Sequence, residues 1–220
     1  MKKKITICAV IIAVVVAIAG IVTLSVSKNK TASIETADMI FEASASTGSI
    51  GEKIIGNPDK AKVIIYEYAD FACSHCAEWN RKINEIIDEH GEDVSLVFRS
   101  FDLGFANGPA AARAATAAQI QGYFKAYKDL LFNNQSEWFY EKGESLKQIF
   151  SNYLMVASKG AADIDKFVSD MNSNSVKERL KFEQSLGKKI ELTGTPTFRI
   201  DGETISPGEI TEIVEQKLSN

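Results

Sequence analysis

The sequence predicts an α/β fold in which a sheet core is interrupted by a long helical segment and preceded by an N-terminal transmembrane helix. An almost unbroken apolar run at 63–69 is typical of a strand buried on both faces. The residues from 107 to about 188 show only helical periodicity. "TPTFRIDGETI", near the C terminus, contains two short strands around an Asp-Gly turn. This order indicates one α/β core with an all-helical insertion at about 107–188.

The first 26 residues have the pattern of a signal anchor. Three lysines at 2–4 precede an uncharged, mostly apolar run at 5–26. As a helix this run would reach about 33 Å, close to the hydrocarbon thickness of a membrane. The lysines favour a cytoplasmic location for residues 1–4, so that the chain after Val26 lies outside the membrane. A cleaved signal peptide is the alternative, because Ala17-Ile18-Ala19 resembles a cleavage site.

Residues 27–50 are rich in Ser, Thr and Ala, without a sustained period. They are interpreted as an extracytoplasmic linker, with a short strand near Ile40 and Phe41. The folded domain is therefore expected at 51–220.

The charge of the chain excludes one class of partner. Residues 1–30 contain five lysines and no acidic residue, which leaves 20 basic and 29 acidic side chains in the remainder. Nucleic-acid binding requires clustered Lys and Arg to neutralise phosphates, so no nucleic-acid partner is expected.

The folded domain begins with a turn at Asn57-Pro58-Asp59 and the buried strand at 63–69. A helix follows, ends near His90-Gly91, and leads into a second strand at 94–98. Helical spacing then indicates the following segments: 109–121, 123–132, 146–157, 164–171 and 176–186. After the hairpin, "PGEITEIVEQKL" predicts a closing helix.

Two cysteines lie three positions apart in "YADFACSHCAEW" (68–79), where the strand gives way to the helix. The helical phase places Cys76 on the buried face with Trp79, while Cys73 lies at or just before the helix start. The free N–H groups and the positive dipole end of the helix would stabilise a Cys73 thiolate, and a protonated His75 would add positive charge. A lowered pKa would make Cys73 the attacking and leaving sulfur of a reactive dithiol, presented while Cys76 is buried.

Other uses of a cysteine pair fit less well. Structural zinc needs about four ligands, and outside the motif only Cys8 and His90 are further Cys or His residues. A disulfide across two residues would constrain little of the unfolded chain. Copper transfer stays open, since a CxxC pair with a nearby His can hold a soft cation. No resident metal or other cofactor is predicted, and no glycine-rich phosphate loop is present.

Three segments together resemble the DsbA-like branch of the thioredoxin superfamily: "GNPDKAKVIIYEYADFACSHC", "GPAAARAATAAQIQGYFKAYKDLLF" and "TGTPTF". The resemblance spans about residues 50–218 and implies a thioredoxin-like fold with an inserted helical domain. It implies that Pro196 is cis, that Thr195 and Pro196 face the cysteines and bind substrate, and that Glu67 relays protons for Cys76. From the residues alone, Glu67 could equally be a paired or solvated strand-end carboxylate.

The resemblance implies a thiol:disulfide oxidoreductase with a redox-active Cys73–Cys76 disulfide. Ser74 and Thr195 depart from the best-known oxidase pattern, and the second departure is common in isomerases and reductases. Those isomerases carry an N-terminal dimerisation domain, for which the linker is too short. The expected protein is a monomeric, membrane-tethered bacterial oxidase, with an isomerase or reductase as the alternative. Its expected partners are unfolded exported proteins with free thiols and a quinone-linked membrane reoxidase of DsbB-like or VKOR-like type.

Overall fold

The computed structural model describes Met39 and residues 50–220. Its strands are β1 (Lys53–Ile55), β2 (Val63–Ala69), β3 (Val94–Ser100), β4 (Thr197–Ile200) and β5 (Glu203–Ile205). They form one sheet in the order β1-β3-β2-β4-β5. The predicted strands at 63–69 and 94–98 and the two strands of the predicted hairpin are present, and β3 continues past its predicted end at Phe98 to Ser100. The short strand predicted near Ile40 and Phe41 lies outside the described residues.

The sheet brings two distant parts of the sequence to one end. Strands β2 and β3 pair in parallel, so they require a crossover, which is the helix α1 (Ser74–His90). Strand β4 is antiparallel to β2, with Phe198 opposite Glu67. The chain therefore leaves β2 toward the cysteines at the same end of the sheet where it enters β4 from Thr195-Pro196.

The helical block matches the predicted segments and adds one short helix. The helices after α1 are α2 (Gly108–Ile120), α3 (Phe124–Asn133), α4 (Gln135–Trp138), α5 (Gly143–Ala157), α6 (Ile164–Asn172), α7 (Asn174–Lys189) and α8 (Ile210–Leu218). The four residues of α4 are too few for a periodic signal, so the sequence does not predict it. Aromatic packing joins the block to the sheet: the ring of Phe71 lies 5.1 Å from that of Phe98 and 4.9 Å from that of Phe132.

The edge strand β1 is not predicted from the sequence. It pairs antiparallel with β3, and a buried charge cluster holds its end of the sheet against α7. In this cluster Lys53 pairs with Glu183, and Glu52 pairs with both Arg179 and Arg99. A strand of three residues whose first side chain is a lysine lacks the apolar alternation that identifies strands.

The predicted transmembrane helix at 5–26 and most of the linker at 27–50 lie outside the described residues. Within the part of the chain that the structure describes, no helix combines the length and apolar character needed to cross a membrane.

Candidate active site

The first turn of α1 holds the two cysteines. Cys73 is the residue before the helix, with φ −81° and ψ 123°, and its carbonyl accepts the first helical hydrogen bond from Ala77 N at 3.2 Å. The loop before it is fixed by Asp70, whose carboxylate accepts from Ala72 N and Leu103 N, both at 2.9 Å. These contacts hold the Cys73 sulfur at the beginning of the helix, in the direction in which the free backbone N–H groups point.

The helical block also supports this turn. Gln135, in α4, donates its side-chain amide to the carbonyl oxygens of Phe71 at 2.7 Å and Cys73 at 2.9 Å. This role of Gln135 is not predicted from the sequence, because a glutamine in a short segment between helices carries no chemical signature.

Both cysteines are thiols in this structure, and both are buried. Cys73 is 7% exposed and Cys76 is 0% exposed, so the sulfurs differ less in exposure than predicted. The pKa of Cys73 is lowered to about 5, chiefly because Cys76 S–H donates to it; burial opposes this shift, while Thr195 and the backbone N–H groups of Cys76 and His75 reinforce it. Burial above all raises the pKa of Cys76 well beyond its ordinary value. One sulfur is therefore stabilised as an anion and the other as a thiol.

Thr195, the residue before Pro196, lies next to Cys73 at the end of the sheet. The peptide bond between Thr195 and Pro196 is cis. In its protonated form Cys73 donates its S–H to the carbonyl oxygen of Thr195, with a sulfur–oxygen distance of 3.5 Å. The Thr195 hydroxyl is buried without a hydrogen-bond partner among the described residues, and the side chain lowers the pKa of both thiols. The Thr195 hydroxyl can therefore donate a hydrogen bond to whichever sulfur becomes an anion.

His75 projects into solvent rather than over the sulfur. Its side chain is 77% exposed, and its Nδ1 lies 3.7 Å from Oε2 of Glu78. Its backbone N–H, in contrast, contributes to lowering the pKa of Cys73.

This arrangement makes a prediction about His75. His75→Ser retains the backbone N–H, so the pKa of Cys73 should rise by less than about one unit, which corresponds to less than about 30 mV in the two-electron reduction potential. Thiolate absorbance titration of both proteins measures the shift. A rise of two units or more would mean that the imidazole charge dominates, and His75→Lys then serves as the control that retains a positive charge.

Glu67 lies on β2, the central strand of the sheet, six residues before Cys73. It is 1% exposed, and neither carboxylate oxygen has a hydrogen-bond partner among the described residues. Burial raises the pKa of Glu67 to about 7, with Lys128 acting to lower it and Asp129 to raise it. Its charge in turn contributes to the raised pKa of Cys76. A carboxyl group that titrates near neutrality next to a buried thiol can exchange protons with it.

An open groove of about 540 Å³ lies beside Cys73. Phe105, Phe139 and Tyr140 line it together with His75, and Tyr140 is 82% exposed. Exposed aromatic side chains next to a reactive sulfur form a surface on which an extended polypeptide can lie.

One group of three potential metal ligands occurs in the described part of the chain. It consists of Glu89, His90 and Glu215, whose ligand atoms lie within 4.8 Å of one another. Glu89 and His90 end α1, and the cysteines lie at its other end. The His90 Nε2 pairs with Glu215 at 3.2 Å, which suits the predicted role of His90 as a helix-end residue.

A family model described as Thioredoxin matches residues 49–216. The chain belongs to this thioredoxin family. An oxidised BdbD structure from Bacillus subtilis has a TM-score of 0.65 at 19% identity, covering 83% of this chain and 98% of BdbD. The predicted thioredoxin-like fold is confirmed.

Two kinds of protein are similar to this chain in sequence. The probable disulfide bond formation protein D of Bacillus anthracis is 28% identical over 163 residues, covering 68% of this chain and 70% of that protein. The Na(+)/H(+) antiporter NhaA of Herminiimonas arsenicoxydans is 28% identical over 148 residues, covering 67% of this chain but 22% of the antiporter. This thioredoxin-family chain thus spans less than a quarter of the antiporter relative's length. The predicted resemblance to DsbA-like thiol:disulfide oxidoreductases is confirmed at the level of the family.

Proposed function

We propose that this protein is a thiol:disulfide oxidase that introduces disulfide bonds into exported bacterial proteins. The observation that carries the proposal is the contrast between its two sulfurs: the pKa of Cys73 falls to about 5, while burial raises the pKa of Cys76 well above its ordinary value. A stabilised Cys73 thiolate favours the reduced enzyme, and a couple whose reduced form is stabilised oxidises other thiols.

The reaction proceeds by two thiol–disulfide exchanges. A substrate thiolate attacks the Cys73 sulfur of the Cys73–Cys76 disulfide; a substrate–Cys73 bond forms, and Cys76 leaves with the electron pair and takes up a proton. A second substrate thiolate then attacks the substrate sulfur of this mixed disulfide, and Cys73 leaves as a thiolate. Two electrons pass from the substrate thiols to the enzyme. Cys73 suits the attacked position because a low-pKa thiol is the better leaving group.

Glu67 supplies the proton that Cys76 takes up. Its pKa of about 7 allows it to donate to the Cys76 thiolate in the forward reaction and to accept from the Cys76 thiol during reoxidation. Thr195 serves the same exchange from the other side, since its buried hydroxyl can donate to the sulfur that becomes an anion. Thr195 and Pro196 together form the edge that an incoming peptide meets beside Cys73.

The expected substrates are unfolded polypeptides with apolar residues near their cysteines. The groove lined by Phe105, Phe139 and Tyr140 supports this assignment, because aromatic surface binds apolar side chains of many sequences. The N-terminal pattern supports a domain tethered on the outer side of the membrane, where a quinone-linked reoxidase of DsbB-like or VKOR-like type would regenerate the disulfide.

The reduction potential of the Cys73–Cys76 couple tests the direction of electron flow. Equilibration of the full chain with glutathione should give a value closer to about −120 mV, as for a strong oxidant, than to about −270 mV, as for thioredoxin. The same protein, with chelator present, should oxidise a reduced model protein. A thioredoxin-like potential would identify a reductase instead, and stoichiometric Cu(I) binding without oxidation of thiols would identify a copper carrier.

A further inference from the structure

A lysine of the helical block is buried against the cysteine helix. The buried side chains of α3 follow the helical pattern i, i+3, i+4, i+7, i+8, and the third of these positions is Lys128. The other four are Phe124, Tyr127, Leu131 and Phe132. Lys128 is 0% exposed. A lysine at a core position requires acceptors, since an unpaired buried ammonium is strongly destabilising.

Three side chains supply those acceptors. Lys128 Nζ donates to Asn80 Oδ1, to Asn84 Oδ1 at 3.1 Å, and lies 3.3 Å from Asp129 Oδ1. Asn80 and Asn84 also donate to the Asp129 carboxylate, at 3.1 and 2.8 Å. The three ammonium hydrogens thus have three acceptors, so Lys128 has no donor to spare for Glu67 and acts on it through space.

The titratable groups coupled to Glu67 lie on two helices. Lys128 and Asp129, both on α3, act on the pKa of Glu67 with opposite signs, and the charge of Glu67 in turn acts on the Cys76 thiol of α1. Its partners in the neighbouring strands are the uncharged Phe98 and Phe198. The balance of charge around Glu67 is therefore set largely by one lysine–aspartate pair of the helical block.

We propose that Lys128 and Asp129 are positioning residues through which the helical block controls proton exchange between Glu67 and Cys76. Asn80 and Asn84 hold the pair in place, because they bind both its members from the helix that carries the cysteines. The inference rests on the proposed function in assigning a use to that proton.

Lys128 and Asp129 act on the proton transfer between Glu67 and Cys76. When the Cys73–Cys76 bond breaks, the Cys76 thiolate takes the proton of the Glu67 carboxyl, which becomes a carboxylate. Lys128 stabilises that carboxylate and Asp129 destabilises it. During reoxidation Cys73 first forms a mixed disulfide with the oxidant. The carboxylate then recovers the proton from Cys76, whose sulfur attacks Cys73 and releases the oxidant's sulfur as a thiolate. Lys128 therefore favours proton donation, and Asp129 favours the return of the proton to Glu67.

Two neutral variants should move the titration of Glu67 in opposite directions. We expect Lys128→Met to raise its midpoint by about one pH unit and Asp129→Asn to lower it by a similar amount, at the small end of the range for nearby charges. Carbon-13 NMR of the Glu67 carboxyl in the oxidised full chain measures the midpoint. The pH–rate profile for closure of a glutathione–Cys73 mixed disulfide by Cys76 should shift in the same sense.

The matched control is Lys53→Met. Lys53 is an equally buried lysine, but its partner is Glu183, at the sheet edge. Its loss should destabilise the fold and leave the Glu67 midpoint unchanged. Shifts of Lys128→Met and Asp129→Asn in the same direction, or no shift, would overturn the proposal.

Two further measurements cover the cases in which Lys128→Met does not fold or the protein is not an oxidase. If Lys128→Met does not fold, Lys128→Arg should retain the wild-type midpoint and Asp129→Asn should still lower it; a failure of either overturns the proposal. The NMR midpoint is read without turnover, so it remains valid if the protein proves not to be an oxidase. Conversely, wild-type oxidation of thiols would stand even if neither variant moved the midpoint.

Discussion

Cys73→Ser should reduce the oxidation of a model protein to the uncatalysed rate, whereas Cys76→Ala should accumulate mixed disulfides at position 73. The reason is that the Cys73–Cys76 disulfide accepts the substrate's electrons, and Cys73 is the sulfur that forms the mixed disulfides. At pH 7 a thiol with a pKa of about 5 is almost wholly thiolate, about thirtyfold more than an ordinary cysteine. Serine provides neither the sulfur nor the thiolate. Without Cys76 the variant retains the Cys73 thiolate, which can attack the disulfide of an oxidant such as oxidised glutathione, but it lacks the sulfur that resolves the mixed disulfide.

Alkylation as a function of pH separates the two roles. In the reduced wild type, iodoacetamide at pH 5–6 should modify Cys73 and leave Cys76 unmodified, and mass spectrometry of the peptides identifies the site. Cys73→Ser provides the control, since its remaining thiol should resist alkylation until much higher pH. Modification of Cys76 first would contradict the assignment of roles.

Much of the fold could be predicted because its signals are local. The apolar run of β2, the helical phase of α1 and the Asp201-Gly202 turn each occupy a short stretch of sequence. The CxxC pair at the strand-to-helix junction is local as well. The family resemblance added what local patterns cannot supply, namely that Thr195 lies next to a cysteine more than a hundred positions earlier.

The parts that were not predicted depend on contacts between distant segments. Gln135 supports the cysteine turn from 62 positions away, and β1 is held by a glutamate 130 positions beyond Lys53. Lys128 did carry a local signal, because it occupies a core position in the apolar pattern of α3. A charged residue at such a position predicts a buried partner, but the sequence does not say which helix supplies it.

The exposure of His75 shows the limit of reasoning from residue type. A histidine inside a CxxC pair predicts an imidazolium beside the thiolate. The structure directs that ring into solvent near Glu78 and leaves the backbone N–H to act on the sulfur. Side-chain direction at the first turn of a helix is set by the backbone geometry there, which residue identity does not reveal.

Glu67→Gln should stabilise the oxidised protein by about 3 kcal/mol at pH 8 and have little effect at pH 4. The pKa of Glu67 in the folded protein, about 7, lies above the ordinary value of 4.5 that it has in the unfolded chain. Below pH 4.5 the carboxyl is protonated in both states and has no linked effect. Between the two values the unfolded state releases the proton while the folded state keeps it, so stability falls by about 1.4 kcal/mol per pH unit. Above pH 7 the loss is complete, and glutamine, which does not ionise, avoids it.

Urea unfolding of the oxidised protein at pH 4, 6 and 8 measures this difference without interference from the Cys73 thiolate. Glu183→Gln is the matched control of opposite sign. Burial acts to raise the pKa of Glu183, but Lys53 and Arg179 outweigh it and lower that pKa. Glu183 therefore contributes stability above its unfolded pKa, so its replacement should destabilise the protein more at pH 8 than in acid. A Glu67→Gln difference that is constant across pH would show that Glu67 does not titrate in this range.

The same Glu67→Gln variant should lose activity as it gains stability. Glutamine cannot deliver a proton to the Cys76 thiolate or remove one from its thiol, and general acid–base catalysis of this kind contributes about a hundredfold or more to rate. We therefore expect closure of the glutathione–Cys73 mixed disulfide to slow by about that factor, while alkylation of Cys73 in the reduced protein continues at nearly the wild-type rate. If closure and alkylation slowed equally, the substitution of Glu67 would be acting on the reactivity of Cys73 rather than on Cys76. A gain in stability together with slower closure alone would identify the buried carboxyl as a group retained for proton transfer at the expense of the fold.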